Sequence, residues 1–320
     1  MSDGEPAQSG VAPSRTGVVA SNLLLEAELV RVLQRFGEAR IRCVVLKGIP
    51  LVRRLFAAID GRAVGDNDVL VQRSDVRRAC ALLERDGYRP LPFLDLERRL
   101  RYDNQFLLFK RGDGIDRLVE VHWNAFSTDM FRVPEQLQWA HTEPFVLRKI
   151  TCQVFDPSLT INHLAAHFAQ NGFAELRILR EFARAWNIWA AEHASAACSL
   201  ADTIGLRAAL DYALSVCTAW SWIEARPEPI SRRSRAMLQL LPAEKLSDDP
   251  ALRTSYRRQL LPLLLADPAV VPRSLAHKLF PPFDELASTY AEPMSRRLYP
   301  RYVTYLFRPI RRLLRARLSS

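Results

Sequence analysis

The chain has 320 residues, of which 48% are hydrophobic and 25% are charged, the balance of an ordinary globular protein. It contains no apolar run of about 18 residues or more, so no transmembrane helix is expected. The formal charge of +10 favours anionic partners such as nucleotides, nucleic acid or a membrane surface, although solvated arginine side chains explain the excess equally well. The five cysteines are odd in number and widely spaced, which argues against disulfide or thiolate zinc sites and favours a cytoplasmic protein.

The first 20 residues are polar and rich in turn-forming residues, so we predict a disordered segment at 1–20 without the features of a signal peptide. Apolar residues then recur at helical spacing, which predicts a helix within 21–40. A short β-branched run at 41–48 predicts a buried strand, and a helix follows at 50–59 with a proline in its first turn. The next strand is predicted at 67–72.

The following helix is predicted to begin at a capping residue, Ser74, and to end just before Gly87. Two further strands are predicted at 101–111 and 117–123. The segment Gly112-Asp113-Gly114 separates them and is a typical hairpin connection.

The pattern changes at about residue 150. The segment Asp156-Pro157-Ser158 opens a region of helical period that is rich in Ala and Leu and has almost no strand signal. We therefore predict a domain of strands and helices at 21–150 and a helical domain at 151–320.

Two carboxylates lie two residues apart at the start of a predicted strand. In Asp66-Asn67-Asp68, strand geometry would direct both aspartates to the same side. Adjacent like charges are unfavourable unless a cation compensates them, and Mg²⁺ prefers such oxygen ligands together with substrate phosphates. The bare motif arises often by chance. Its significance here comes from the strongly apolar strand that follows it.

A third carboxylate, Glu120, lies within a β-branched strand, where Glu120 and His122 would share the side opposite Val119 and Val121. A metal held together with Asp66 and Asp68 would provide the partner that a strand carboxylate needs. The alternative is an edge strand whose polar face lies in water.

Five motifs occur in order within about residues 25–125. They are Leu46-Lys47-Gly48, Arg62, Asp66-Asn67-Asp68, Gly87-Tyr88 and Glu120-Val121-His122-Trp123. With these motifs the sequence resembles the uncharacterised bacterial nucleotidyltransferases of the polymerase-beta superfamily, and the resemblance continues loosely to His163–His167 and to Leu279-Phe280-Pro281. Asn67, where the family usually has an aliphatic residue, and Asn104, near an expected histidine, depart from the pattern.

The resemblance implies an α+β fold, with a small mixed sheet and flanking helices followed by a mainly helical domain. It implies that Asp66 and Asp68 bind Mg²⁺ or Mn²⁺ that bridges the nucleotide phosphates, and that Glu120 holds the metal that activates an acceptor hydroxyl. The expected reaction moves a nucleoside monophosphate from an NTP, with ATP as the expected nucleotide. By analogy, the acceptor would be a sugar, a lipid-linked group or a peptide in polysaccharide or modified-peptide biosynthesis.

Three residues are candidates for binding the nucleotide. Gly48 ends a strand–glycine–helix unit that could cradle phosphate. Lys47 and Arg62 are candidates for phosphate contacts, with Arg62 in a bidentate mode. Both cations could equally lie on the surface.

Two other functions remain open. The chain could be a degenerate nucleotidyltransferase that acts as a nucleotide-binding or protein-interaction module, although its intact carboxylates argue against this. It could also modify nucleic acid such as tRNA ends, which is not favoured because no separate RNA-binding module is evident.

His163 and His167 lie four residues apart on one helix face, where packing is favoured over lining an acceptor site. The basic amphipathic segment 307–318 is expected to dock on its own domain rather than on anionic lipid or nucleic acid. Because pockets commonly lie at domain interfaces, we expect the region after residue 150 to form the acceptor side of the cleft.

Overall fold

A computed structural model describes residues 14–91, 94–112, 116–173, 175–224, 230–246, 260–283, 286–287 and 296–303. Seven strands form one mixed sheet: β1 (Cys43–Val45), β2 (Asn67–Val71), β3 (Arg89–Pro90), β4 (Gln105–Lys110), β5 (Arg117–His122), β6 (Thr142–Leu147) and β7 (Ile150–Phe155). Their spatial order is β3-β4-β5-β2-β1-β7-β6. The pairs β2–β5 and β1–β7 are parallel, and the other neighbours are antiparallel. The predicted α+β class is confirmed.

Helices flank the sheet and fill the region that follows it. Asp156 begins α6 by accepting a hydrogen bond from Leu159 N at 2.8 Å, which satisfies a backbone donor that the first turn leaves free. No described helix is both long enough and apolar enough to cross a membrane. The helices are α1 (Arg15–Glu38), α2 (Ile49–Leu55), α3 (Val76–Arg85), α4 (Leu96–Tyr102), α5 (Glu135–Ala140), α6 (Pro157–Gln170), α7 (Leu176–Thr203), α8 (Arg207–Ala219), α9 (Arg232–Leu240) and α10 (Val271–Leu279).

The two faces of the sheet pack against different hydrophobic cores. Val69 and Val71 of β2 belong to the core that contains the buried side of α1 and α3. Leu70, between them, belongs to the core built by α6, α7 and α8. Asn67 faces the same side as Val69 and Val71, and its amide nitrogen donates a hydrogen bond to Leu25 O of α1 at 3.2 Å, whereas its buried amide oxygen has no partner among the described residues. Asp68 therefore shares its face with Leu70 and projects toward the helical region.

Three details of the first half differ from the prediction. Helix α1 begins at Arg15, inside the segment predicted to be disordered, because Ser14 caps it by accepting from Gly17 N. Residues 1–13 lie outside the described residues. Ser74 was wrongly predicted as a helix cap, since it lies in a 3-10 turn, Arg73–Asp75, that precedes α3. Helix α2 ends at Leu55 rather than at residue 59.

The start of the strand predicted at 101–111 is also wrong, because α4 extends to Tyr102. Asp95 begins this helix by accepting from Arg98 N at 2.8 Å. The hairpin pairing of β4 with β5 is confirmed, and residues 113–115 of its connection lie outside the described residues.

Strands β6 and β7 were not predicted. They form an antiparallel hairpin, and β7 adds to the sheet parallel to β1. The boundary predicted after residue 150 therefore falls inside β7, and the helical region begins at Pro157. The basic segment 307–318 lies outside the described residues. All five cysteines are free.

Candidate functional site

Strands β2 and β5 bring two of the predicted carboxylates side by side. Asp68 lies beside Glu120 in the parallel register, and Leu70 lies beside His122 two residues further along. Because alternate residues of a strand share a face, Asp68, Glu120 and His122 project to the same side of the sheet. The side chain of Asp68 is fully buried, whereas that of Glu120 is 18% exposed.

Ligand-type atoms of these three residues converge. His122 Nε2 lies 3.1 Å from Asp68 Oδ1 and 3.4 Å from Glu120 Oε2. Burial alone would lower the pKa of His122, but its hydrogen bonds to Asp68 and Glu120 outweigh burial and raise the pKa to about 9. Burial likewise opposes ionisation of Asp68, but Lys47 and His122 keep its pKa well below the usual range.

The remaining predicted carboxylate, Asp66, lies one residue before β2 and lines the cavity onto which Glu120 and His122 open. Its oxygens are not part of the converging group. Burial, followed by the negative charge of Asp68, raises the pKa of Asp66 to about 6 in spite of the attraction of Lys47. The cations near Asp66 in this structure therefore do not offset its burial and its carboxylate neighbour.

Lys47 follows β1 by two residues and faces the strand carboxylates. Its Nζ lies 3.4 Å from Asp68 Oδ2 and 3.4 Å from His167 Nε2. Burial disfavours the ammonium, but Asp68, Asp66 and Glu120 outweigh burial and raise the pKa of Lys47. The pKa of His167 is well below its usual value because of burial and the charge of Lys47, so its neutral ring can accept a hydrogen bond from the ammonium.

Gly48 makes the turn from β1 into α2. Its φ of +73° favours glycine, and an added Cβ would lie 3.4 Å from Asp66 O. The absence of a side chain at Gly48 thus allows the backbone at this turn to pass close to the segment that carries Asp66. Its contact with a nucleotide stays a prediction.

Arg62 lines the cavity but already has a partner. Its Nε lies 2.5 Å from Glu181 Oε1 of α7, and Arg177 Nη1 lies 3.3 Å from the same carboxylate oxygen. Burial lowers the pKa of Arg62, against the attraction of Glu181. The guanidinium is therefore placed at the cavity wall by an ion pair with the helical region.

The two histidines of α6 also line the cavity. His163 Nε2 lies 3.2 Å from Ala125 O, and its ring meets the rings of Phe126 and Phe155 edge-on. Burial, with the charges of Lys47 and His122, lowers the pKa of His163 to about 3. His163 therefore packs as a neutral ring in the wall, and His167 contacts Lys47.

A cavity of about 720 Å³ separates the strand carboxylates from helices α6 and α7. It lies between the strand-containing part and the helical region, as predicted, while acceptor binding there stays a prediction. Its other polar lining residues include Asp103, Asn104, Gln105, Ser127, Gln170, Asn171 and Glu175.

The donor atoms in this cavity fit a divalent metal ion. Asp68 Oδ2 is buried and accepts no hydrogen bond from the described residues, and the cation recorded beside it is Lys47, with Nζ at 3.4 Å. Asp68, Glu120 and His122 each offer one ligand atom, and these atoms lie within 4.8 Å of one another. This group could hold a metal ion, and carboxylate oxygens are ligands that Mg²⁺ and Mn²⁺ accept.

Sequence reasoning missed three members of the site. His122 was placed on the face of Glu120 without a role, although the two-residue spacing was a usable signal. Gln105 of β4 donates to Glu120 Oε2 at 3.0 Å, and Glu181 pairs with Arg62. Both contacts depend on tertiary packing, which leaves no local signal in the sequence.

Comparisons with known proteins identify the family of the chain. The profile of a family described as uncharacterised nucleotidyltransferases matches residues 6–221, more than half of the chain. No curated protein gives a significant match. Among solved structures, an antigenic nucleotidyltransferase-like protein from Paracoccidioides brasiliensis is 14% identical with a TM-score of 0.37, covering 58% of this chain and 91% of that chain.

Proposed function

Because the chain belongs to the family of uncharacterised nucleotidyltransferases, we propose that it moves a nucleoside monophosphate from an NTP to a hydroxyl acceptor. Asp66, Asp68 and Glu120 would hold the divalent metal, Mg²⁺ or Mn²⁺, that this transfer requires. The family match supports nucleotidyl transfer, and the residues of the cavity support the metal.

The observation that carries the proposal is the parallel register of Asp68 and Glu120. It places Asp68 beside Glu120, which lines the cavity, and Asp68 Oδ2 is buried without a hydrogen bond from the described residues. Paired buried carboxylates are unfavourable unless a cation compensates them. Lys47 and His122 compensate part of this charge, while the raised pKa of Asp66 indicates that compensation is incomplete.

A metal at this position would neutralise charge on the phosphates, polarise the phosphorus that the hydroxyl attacks and stabilise the pyrophosphate that leaves. The other tasks fall to residues of this chain. Lys47 is a buried, charged donor beside Asp68 and is placed to bind a phosphate oxygen. Arg62 presents a guanidinium to the same cavity, where bidentate contact with phosphate is its typical geometry.

The acceptor would enter from the side of the helical region. His167, Gln170 and Asn171 of this side offer hydrogen-bonding groups to a hydroxyl-bearing molecule. A sugar, a lipid-linked group or a peptide remains the expected acceptor, and ATP remains the expected nucleotide. A role in polysaccharide or modified-peptide biosynthesis rests on analogy with the family resemblance.

The proposal is tested by incubating the purified protein with each α-labelled NTP, Mg²⁺ or Mn²⁺, and an extract of the source cells. Transfer of label should depend on Glu120, because Glu120→Gln keeps the volume and the contact with Gln105 but removes the charge. We expect the transfer rate to fall by about two orders of magnitude or more, roughly 3 kcal/mol in the barrier, with little change in NTP affinity.

The matched control is Glu143→Gln, which alters a strand glutamate that is paired with Arg54 and lies outside the cavity. It should transfer label at the rate of the unaltered protein. If folded Glu120→Gln protein is equally active, the role given to this carboxylate is wrong. If no NTP labels any acceptor although the protein binds NTP, the chain is a nucleotide-binding module instead.

A further inference from the structure

His122 directs one ring nitrogen at the space between two carboxylates. Its side chain is only 6% exposed, and its Nε2 lies 3.1 Å from Asp68 Oδ1 and 3.4 Å from Glu120 Oε2. Its Nδ1 is buried and has no hydrogen bond to the described residues. The geometry of the ring is thus set by the two carboxylates, through Nε2.

These separations match those of ligands that share a metal ion. Oxygen and nitrogen ligands lie about 2.0–2.2 Å from Mg²⁺ or a first-row transition metal, so two neighbouring ligands lie roughly 2.8–3.6 Å apart, from octahedral to tetrahedral angles. Both distances from His122 Nε2 fall in this range. The same distances also suit hydrogen bonds from the protonated ring, so metal binding at Nε2 would displace the proton that the ring shares with the carboxylates.

Asp68 provides an independent observation. Its second oxygen, Oδ2, is fully buried, accepts no hydrogen bond within the described part of the chain, and has Lys47 Nζ at 3.4 Å as its recorded cation. The carboxylate is thus held by His122 on one oxygen and incompletely satisfied on the other. An ion bound through Oδ1 of Asp68 would leave Oδ2 to Lys47.

Resting on the proposed function, we propose that His122 is a third protein ligand of the metal, together with Asp68 and Glu120, and that it makes the site select a first-row transition dication over Mg²⁺. Imidazole nitrogen suits transition metals, whereas Mg²⁺ is bound mainly by oxygen ligands and keeps its waters. Mn²⁺ accepts both kinds of donor and is the probe of choice. Asp66 lies outside the converging group and would contact the metal only when the nucleotide is bound as well.

The test measures Mn²⁺ and Mg²⁺ binding by calorimetry in the full chain, together with pulsed EPR of the Mn²⁺ complex. We expect Mn²⁺ to bind about tenfold or more tightly than Mg²⁺, and the EPR spectrum to contain coupling to a histidine nitrogen. Selective ¹⁵N-histidine labelling identifies that coupling without altering any residue. In His122→Gln the coupling should be lost and the Mn²⁺/Mg²⁺ affinity ratio should fall by about tenfold or more, in the range seen when groups supporting a metal site are removed.

The matched control is His163→Gln. His163 is equally buried and lines the same cavity, but its Nε2 faces Ala125 O. This variant should keep both the nitrogen coupling and the affinity ratio. Bound Mn²⁺ without histidine coupling in the labelled, unaltered protein would overturn the role of His122 and leave the proposed function intact. If neither metal binds, with or without NTP, the proposed function itself fails.

Discussion

The metal-free protein should become more stable when Asp66 is replaced by asparagine. Burial and the charge of Asp68 raise the pKa of Asp66 from 3.8 to about 6, so the folded state disfavours the ionised carboxylate. At about 1.4 kcal/mol per pH unit, this difference corresponds to roughly 3 kcal/mol once the group is ionised. Because Asp66 is partly accessible to water, we expect a gain of about 1–2 kcal/mol for Asp66→Asn at pH 7.5.

The gain has a defined pH dependence. A carboxyl group whose pKa is raised on folding binds a proton more tightly in the folded state. The contribution of Asp66 to the free energy of unfolding therefore falls as pH rises from 3.8, the ordinary pKa, to about 6. Above that window the buried carboxylate destabilises the folded state by its full amount. At pH 4.5 the gain from Asp66→Asn should shrink to roughly a third of its value at pH 7.5.

Urea unfolding of EDTA-treated protein at both pH values measures these differences. The matched control is Asp60→Asn in the same loop. Arg15 forms a hydrogen bond to Asp60 and lowers the pKa of that carboxyl, so its replacement should bring no gain. A loss of stability in Asp66→Asn, or a gain that is equal at both pH values, would refute the electrostatic reasoning.

Three further predictions concern the same cavity. NTP affinity, measured by calorimetry, should fall at least about tenfold in EDTA, because the triphosphate would meet Asp68 and Glu120 without a compensating metal; equal affinity would contradict a metal site. His163 stays neutral when folded, with a pKa of about 3, whereas the unfolded ring binds a proton below about 6.5, so stability is lost as pH falls below that value. His163→Gln should reduce the loss of unfolding free energy between pH 7.5 and pH 5 by about 2 kcal/mol, as measured by urea titration. An unchanged pH dependence of this free energy would argue against the buried neutral ring. Gly48→Ala should destabilise the protein by about 1 kcal/mol or more because of its positive φ, whereas Gly65→Ala, with open space around it, should change the unfolding free energy little; equal effects would remove the argument from backbone conformation.

The sequence was sufficient to locate the strands that carry the carboxylates. Each of β2 and β5 is an apolar β-branched run, and a local run of this kind predicts a buried strand wherever its neighbours lie. The sequence did not predict the parallel register that places Asp68 beside Glu120. This register depends on which strands pair across the sheet, and no local pattern in either segment encodes that choice.

The missed hairpin illustrates a second limit. Strands β6 and β7 are joined through Arg148, which adopts a φ of +53°. The usual sequence signal for such a turn is Asn or Gly, because these residues adopt positive φ most easily. An arginine in this position does not predict a hairpin. The edge location of β6 also explains how it tolerates Pro144, which cannot donate a hydrogen bond to a neighbouring strand.

Residues of the helical region also contact the two cations that are predicted to bind phosphate. Lys47 contacts His167, whose neutral ring accepts a hydrogen bond and adds no charge to the one that Asp68 already pairs. Arg62 instead pairs with the buried carboxylate of Glu181, which neutralises much of its field toward the cavity. Both cations are therefore already paired with a carboxylate, Lys47 with Asp68 and Arg62 with Glu181, and a bound phosphate must share each of them. The affinity of the cavity for an anion therefore depends on α6 and α7 as well as on the strands, because α6 supplies a neutral partner for Lys47 and α7 supplies a charged partner for Arg62.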